Sequence, residues 1–315
     1  YISNQGKKLL LFIDNANDIS GSDMALVARL GCTVVLTSRM SKMDRFKSVT
    51  IDRLKNDDCL DLYKEHSEHK QEDTKTLSEI IRLADRHTLA IELLGKTQRA
   101  SGKSAEYLLQ LLKDNSFDLS GITEKISYLH QGERSTGEEN PYENQFMEHL
   151  SAVFNIANIE GEPLRVLRLF SLLPSDPLNS TDATAWFELD DLNVLNTLEK
   201  KGWLSSVNQD GIKFSMHPVL ASVVRYRGKP TCQECEHLIS SLAKALSFEP
   251  TEVFTTKLPV LPFAKSVANF FMDEEASFAY STLANKLSTI YRVLGSYAIA
   301  LTYAEKAMAI RECVL

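Results

Sequence analysis

Apolar residues fall in short unbroken runs near the start of the chain and at helical spacing almost everywhere after it. Leu9-Leu10-Leu11-Phe12-Ile13, bounded by Asp14-Asn15, reads as a fully buried strand. Val34-Val35-Leu36-Thr37 reads as a second strand and Val49-Thr50-Ile51 as a shorter third, with room between the first two only for a short helix over Met24 to Leu30. Continuous apolar strands joined by helices predict a parallel sheet covered on both faces. Three strands are too few for such a sheet to stand alone, so part of it is expected to lie outside this sequence.

From about Asp57 to Asp114 the period becomes helical. Leu60, Leu62 and Tyr63 mark one apolar face, Leu77, Ile80, Ile81 and Ala84 a second, and Leu89, Leu93 and Leu94 a third. Gln131 to Pro141 is polar and rich in turn-formers, hence a loop or linker. Helices are expected from Tyr142 to Ile159, from Leu164 to Leu173 and from about Leu192 to Lys200, the last ending at Gly202. Trp203 to Val207 and Ile212 to Met216 then flank Asn208-Gln209-Asp210-Gly211 as a hairpin. Helices followed by a two-stranded wing make a winged helix. Asp190, Asp191 and Glu199 offset Lys200 and Lys201 on its recognition helix, which favours a structural module over a reader of DNA.

From Glu234 onward the pattern is all helical. Leu287, Tyr291, Leu294-Gly295, Tyr297, Ala300, Tyr303 and Ala307 describe paired antiparallel helices that turn at Gly295. One such unit cannot bury its own face, so stacked neighbours are expected, including a further repeat beyond Leu315. The first residue is Tyr1 and strand-like sequence begins almost at once, so both ends read as cuts.

Composition narrows the classes. A chain of 315 residues with 43% hydrophobic and 24% charged residues is an ordinary soluble protein of about two domains. The net charge of -7 argues against nucleic acid as a direct partner. No run approaches the roughly 18 apolar residues of a membrane span, and no signal peptide opens the chain. The scattered cysteines Cys32, Cys59, Cys232, Cys235 and Cys313 form no disulfide framework, so a reducing cytoplasm is expected. Cys232-x-x-Cys235 suits metal binding or redox work, but no second pair has zinc-finger spacing, and Glu234 and Glu236 mark a helix start instead.

Candidate chemistry gathers at strand and helix ends. Asp14, after an apolar strand, stands where a carboxylate meets a hydrated Mg²⁺ on a nucleotide, although many parallel strands end this way. Asn15 follows it, and an amide cannot accept a proton, so fast hydrolysis is not expected. Arg39 ends Thr37-Ser38-Arg39 at the edge of the sheet, where a guanidinium can read a terminal phosphate or pair with Asp44. His217, in Met216-His217-Pro218, can donate to a phosphate or cap the helix that Pro218 opens. Asp73 and Thr74, and Asp57 and Asp58, read as helix N-caps. Gly95-Lys96-Thr97 and Gly102-Lys103-Ser104 look like ends of a phosphate loop but lack its upstream glycine and lie in helical sequence.

Taken in order, these pieces resemble the NB-ARC (STAND-class) signal-transduction ATPases, in particular bacterial ones with C-terminal tetratricopeptide-like repeats. Lys8 to Asp18, with the strand ending at Asp14, resembles the Walker B strand, and Gly31 to Arg39 is similar to the sensor strand. Val49 to Tyr63 resembles the exit from the sheet into a helical ARC subdomain. Arg86-His87-Thr88-Leu89-Ala90-Ile91 sits where the family has Gly-Leu-Pro-Leu-Ala, and Met216-His217-Pro218 stands in place of Met-His-Asp. The resemblance covers about residues 7 to 228.

The fold it implies is α/β plus α: a partial parallel-sheet nucleotide-binding domain over 1–54, a helical ARC subdomain over 55–130, a winged helix over 141–228 and α-helical tetratricopeptide-like hairpins over 229–315. It implies that Asp14 holds Mg²⁺ through water, that Arg39 senses the terminal phosphate, and that His217, Thr88 and Leu89 bind ADP or ATP. The nucleotide would be held in the full-length protein, a slow NTPase, and not in this stretch, which lacks the phosphate-binding loop and is expected to be inactive. Protein partners would dock on the repeats, and the activated protein would form a homo-oligomer. Thr88, Pro218 and Asn15 depart from the family pattern. They leave open a scaffold with a decayed nucleotide site, alongside a transcriptional regulator whose DNA-binding domain lies elsewhere.

Overall fold

The structure, a computed structural model, describes residues 9–14, 16, 21–38, 45–49, 51, 53–68, 73–114, 117–119, 148–153, 159–208, 210–247, 254–273 and 277–314. It is mostly helical, with one small parallel and one small antiparallel sheet.

The chain opens on β1 (Leu10–Ile13), α1 (Gly21–Val27) and β2 (Thr33–Leu36), with β1 and β2 parallel and Leu10 opposite Thr33. Ile13 and Leu36 pack on Ala16 and Met24, so α1 covers one face. The other face is open. Leu10 and Phe12 are 63% and 59% exposed, which corrects the expectation of a fully buried strand. Successive residues of a strand point to opposite faces, so one covering layer buries only every second side chain. The expected third strand is also corrected: Val49 and Ile51 belong to none and stand in solvent, 80% and 91% exposed, so no sheet covers them.

Helices α2 (Asn56–Ser67), α3 (Thr74–Leu83), α4 (Thr88–Ser101) and α5 (Ala105–Asp114) follow. The apolar stripes fall inward as the spacing requires: Tyr63, Leu77, Ile80, Ile81, Ala84, Leu93 and Leu94 are all buried. Asp73 caps α3 by accepting from the amides of Lys75 and Thr76. Asp57 and Asp58 do not cap α2; they sit in its first turn behind Lys55, where their charge suits the helix dipole. Gly95 lets α2 and α4 touch, since a Cβ there would come within 3.0 Å of the Tyr63 carbonyl oxygen. Beside it the Tyr63 hydroxyl donates to Oε1 of Gln98 at 2.6 Å, satisfying both buried groups. Both glycine-lysine triplets therefore lie in or at the end of α4.

The expected linker over 131–141 lies outside the described residues, as do most of 142–159; residues 148–153 are helical. Next come α6 (Gly161–Phe170), β3 (Leu178–Asn179), α7 (Ser180–Phe187), α8 (Asn193–Lys200), β4 (Ser205–Asn208), β5 (Ile212–Ser215) and α9 (Pro218–Arg227). The sheet is antiparallel with order β3-β5-β4, so β5 lies in the middle with Phe214 paired to Leu178 on one side and Ser206 on the other. Trp203, Phe170 and Phe187 are buried in the main core, the two phenylalanine rings meeting edge-on at 4.9 Å.

The remainder is helical: α10 (Glu236–Ala245), a short 3₁₀ turn (Phe254–Lys257), α11 (Leu261–Phe270), α12 (Phe278–Val293) and α13 (Tyr297–Val314). Helices α12 and α13 form a hairpin that turns at Gly295, whose φ of 77° suits a residue without a Cβ. Leu287, Tyr291, Ala300, Tyr303 and Ala307 are buried, and the Tyr291 and Tyr303 rings stack at 5.9 Å. Leu294 and Tyr297, on either side of the turn, are 40% and 70% exposed. Among the described residues no helix is long and apolar enough to cross a membrane.

Candidate functional site

Two helix starts, each capped by a histidine, carry the most unusual local chemistry. Asp85 and Arg86 both adopt left-handed backbone, with φ of 48° and 53°, and turn the chain sharply between α3 and α4. Two consecutive non-glycine residues in that region are held against intrinsic preference. The clamp is Arg53: its Nη1 lies 2.7 Å from Oδ2 of Asp85 and also donates to the Asp85 carbonyl at 3.3 Å. His87 follows, in extended geometry, and its Nδ1 accepts from the amide of Ala90 at 3.4 Å. A cleft of about 210 Å³ runs beside this turn, between Asn56 and Leu60 of α2 and Ser78 and Ile81 of α3.

His217 does the same at α9. Its Nδ1 accepts from the amide of Val219 at 3.2 Å, and Pro218, which has no N–H to leave unsatisfied, occupies the first helical turn. The charge of His217 bears on His87. Burial is the main force that depresses the pKa of His87, and the charges of His217 and Arg53 push the same way against Asp85. Burial also depresses His217, opposed by the Glu92 carboxylate of α4. Glu92 is itself paired with Lys96 at 2.7 Å. Both rings are therefore held neutral, with lone pairs directed at backbone amides, where two helix dipoles present partial positive charge.

The parallel sheet holds a second polar pair. The Thr37 amide donates to the Ile13 carbonyl at 2.9 Å, and the Ala16 amide donates to the Thr37 carbonyl at 2.8 Å. These bonds carry the pairing one residue past β2 and three past β1, and they set the Thr37 hydroxyl against Asp14, where it donates to Oδ1. Asp14 thus sits at the C-terminal edge of the sheet, with one oxygen already engaged.

The sequence-level candidates fall into place unevenly. Asp14 meets Thr37 at the edge of the parallel sheet, and His217 caps α9. Thr88 is exposed in the first turn of α4, and Leu89 is half-buried against the main core. Arg39, Asp44 and Asn15 lie outside the described residues. Cys232 and Cys235 lie in the turn before α10, both buried, and no cluster of potential metal ligands occurs among the described residues. In the sequence His87 stands out only within the segment Arg86 to Ile91, and nothing there points to Arg53, Asp85 or Glu92. The signal that could have found His87 is the apolar spacing of α4 itself, which opens just after it.

No protein-family model matches the chain, and no curated protein matches it. Among solved structures it is similar to a Signal Transduction ATPase with Numerous Domains (STAND) protein with a tetratricopeptide repeat sensor from Pyrococcus horikoshii, with 13% identity and a TM-score of 0.50. The likeness covers 95% of this chain and 43% of that one, so the chain spans less than half the length of that protein. At this identity the likeness is one of fold: a small α/β part followed by helical parts.

Proposed function

We propose that the chain is part of an ADP- or ATP-dependent signalling switch whose nucleotide state governs domain opening and oligomerisation. The observation that carries the reading is a pair of histidine-capped helix starts, those of α4 and α9, near enough that the charge of His217 bears on His87. Helix N-termini attract anions. A diphosphate placed there would bridge the helices α2 to α5 and the unit built from α6 to α9. The order of the parts and their likeness to a STAND protein with a tetratricopeptide repeat sensor support the same reading.

In this reading α6 to α9 with their sheet are a winged helix, and α10 to α13 are tetratricopeptide-like helices that bind protein. His217, with Thr88 and Leu89, contacts the nucleotide; Asp14 holds Mg²⁺ through water, and Arg39 senses the terminal phosphate. The residues at both places fit such a group in character: helix dipoles and imidazoles for phosphate, a carboxylate at a sheet edge for a hard cation. Mg²⁺ would supply charge neutralisation at the phosphates. The chain's own groups bind and orient. With Asn15 after Asp14, hydrolysis in the whole protein would be slow, and this stretch alone would be inactive.

One observation favours a second reading, a protein-binding scaffold with a decayed nucleotide site. Both histidine lone pairs and one Asp14 oxygen are already engaged within the chain. Calorimetric titration with ADP and Mg²⁺ separates the two. The 315-residue chain should show no binding in the micromolar range, because it has no phosphate loop. A longer protein that carries such a loop ahead of this sequence should bind ADP, and His217→Ala should weaken binding at least tenfold. If that longer protein binds no nucleotide, the scaffold reading stands; if it binds and His217→Ala changes nothing, the site is misplaced.

A further inference from the structure

We propose that Cys232 and Cys235 are a redox-active pair, which a small-molecule disulfide oxidises to a disulfide within one helical turn. The site needs no nucleotide.

The turn that leads into α10 is already helical before the first residue of that helix. The Cys235 amide donates to the Thr231 carbonyl at 3.2 Å, the pattern of an α-helical bond. The Glu234 amide donates to Oγ1 of Thr231 at 3.2 Å, and the Thr231 amide donates back to Oε2 of Glu234 at 2.8 Å. This reciprocal pair is a capping box, which fixes Thr231 as the start of the turn. Glu234 is also tied to Nη1 of Arg168 on α6 at 3.3 Å. Sγ of Cys232 lies 3.6 Å from Oγ of Ser277, the cap of α12. The turn is thus held from within and from two neighbouring helices.

Inside such a turn, residues three apart have their Cα atoms about 5 Å from each other. A disulfide spans roughly 4.4–6.8 Å between Cα atoms. Cys232 and Cys235 have that spacing, and both are buried in the same core. Closing the bond therefore asks for side-chain rotation on a backbone that the turn has already ordered. In the unfolded chain the same four residues must be ordered first. Metal binding is the other use of such a pair, but no group of three potential ligands occurs among the described residues.

One cysteine, as its thiolate, attacks a sulfur of the small-molecule disulfide, and a mixed disulfide forms as the first small thiolate leaves. The thiolate of the other cysteine then attacks the protein sulfur of that mixed disulfide and expels the second. The pair loses two electrons and two protons; the small-molecule disulfide gains both and departs as two thiols. Both cysteines are buried, so the exchange runs as fast as the turn opens, and the fold acts on its equilibrium.

Equilibration of the whole chain, carrying Cys32→Ser and Cys313→Ser, with mixtures of reduced and oxidised glutathione tests the pair. After acid quenching and alkylation, one tryptic peptide, Gly228 to Lys244, holds both cysteines. It should lose the mass of two hydrogens and escape alkylation at both sites. The midpoint is read as the ratio of reduced glutathione squared to oxidised glutathione. In the native chain it should lie at a ratio at least about tenfold more reducing than in the same chain unfolded in urea, a difference of about 30 mV. By linkage, the oxidised chain should then unfold at a higher urea concentration than the reduced one. Equal midpoints, or easier oxidation of the unfolded chain, would overturn the proposal. So would a native peptide that stays alkylated at both cysteines, or one that accumulates glutathione adducts without closing.

Discussion

Lys96 lies across Gly202: a Cβ built on that glycine would sit 2.7 Å from Cδ of Lys96 and 3.5 Å from Cδ1 of Leu93. The contact brings α4 against the turn that ends α8. Gly202 also has φ of 83°, so a side chain there is opposed twice, by its own backbone and by its neighbour. Gly202→Ala should therefore cost about 1–2 kcal/mol in urea denaturation. The lysine stem is flexible, so Lys96→Ala in the same chain should recover only the steric share. Full recovery would mean that the backbone conformation costs nothing.

The turn before α4 offers a contrast between adjacent residues with nearly the same backbone. Asp85 and Arg86 are both left-handed, but only Asp85 is gripped by Arg53. Arg86→Gly should stabilise the protein by about 0.5–1 kcal/mol, because glycine adopts this conformation without strain. Asp85→Asn keeps a residue tolerant of that conformation but removes the charge facing a half-buried guanidinium. It should cost about 1–2 kcal/mol, as expected for a charge-assisted hydrogen bond. Opposite signs in thermal or chemical denaturation are the expected result; a loss at both positions would mean that Arg86 also has a structural partner.

These two sites show where sequence reasoning succeeds and where it stops. The stripe Leu77, Ile80, Ile81 and Ala84 is legible because helical spacing alone decides which residues face inward, and all of them are buried. His217 is legible as a cap because Pro218 after it announces a helix start. His87 has no such marker, and the charge of His217, 130 positions away, reaches it only through the fold. β3 was missed because two residues make no pattern, although Asn179 capping Ser180-Thr181-Asp182 is a readable start for α7. The exposure of Leu10 and Phe12 was illegible in a different way. An apolar strand states that its faces can be covered, not that they are.

The thiols give a test of burial that needs no variant in the core. Cys59, Cys232 and Cys235 are buried, and burial raises the pKa of the Cys59 thiol, so little of it is thiolate near neutral pH. Cys32 is half-exposed in the turn before β2. In a Cys313→Ser background, an aromatic disulfide reagent should modify Cys32 promptly. The three buried thiols should react only as fast as the chain opens, and all should react at once in denaturant. Peptide mass mapping identifies each site. Prompt labelling of Cys232 or Cys235 in the native protein would show that the turn before α10 opens readily.

Tyr303 ties the last hairpin to the helix before it. Its hydroxyl donates to Oδ1 of Asn269 on α11 at 2.7 Å, while its ring stacks on Tyr291. Burial, helped by the nearby Tyr291, pushes its pKa up to about 12. The unfolded chain would lose the same proton near pH 10. Between those values the folded state holds a proton that the unfolded state has released, so stability falls as pH rises through that window and is unaffected below it. Tyr280, whose hydroxyl donates to the Ala268 carbonyl at 2.9 Å, shifts in the same direction and adds to the effect. Tyr303→Phe should cost about 1 kcal/mol at pH 7 through the lost hydrogen bond and flatten the alkaline decline. Urea midpoints from pH 7 to pH 11, read beside tyrosinate absorbance, check both parts. An unchanged alkaline slope in Tyr303→Phe would assign the decline to Tyr280 or to the net charge of the chain, and would leave Tyr303 as a packing residue alone.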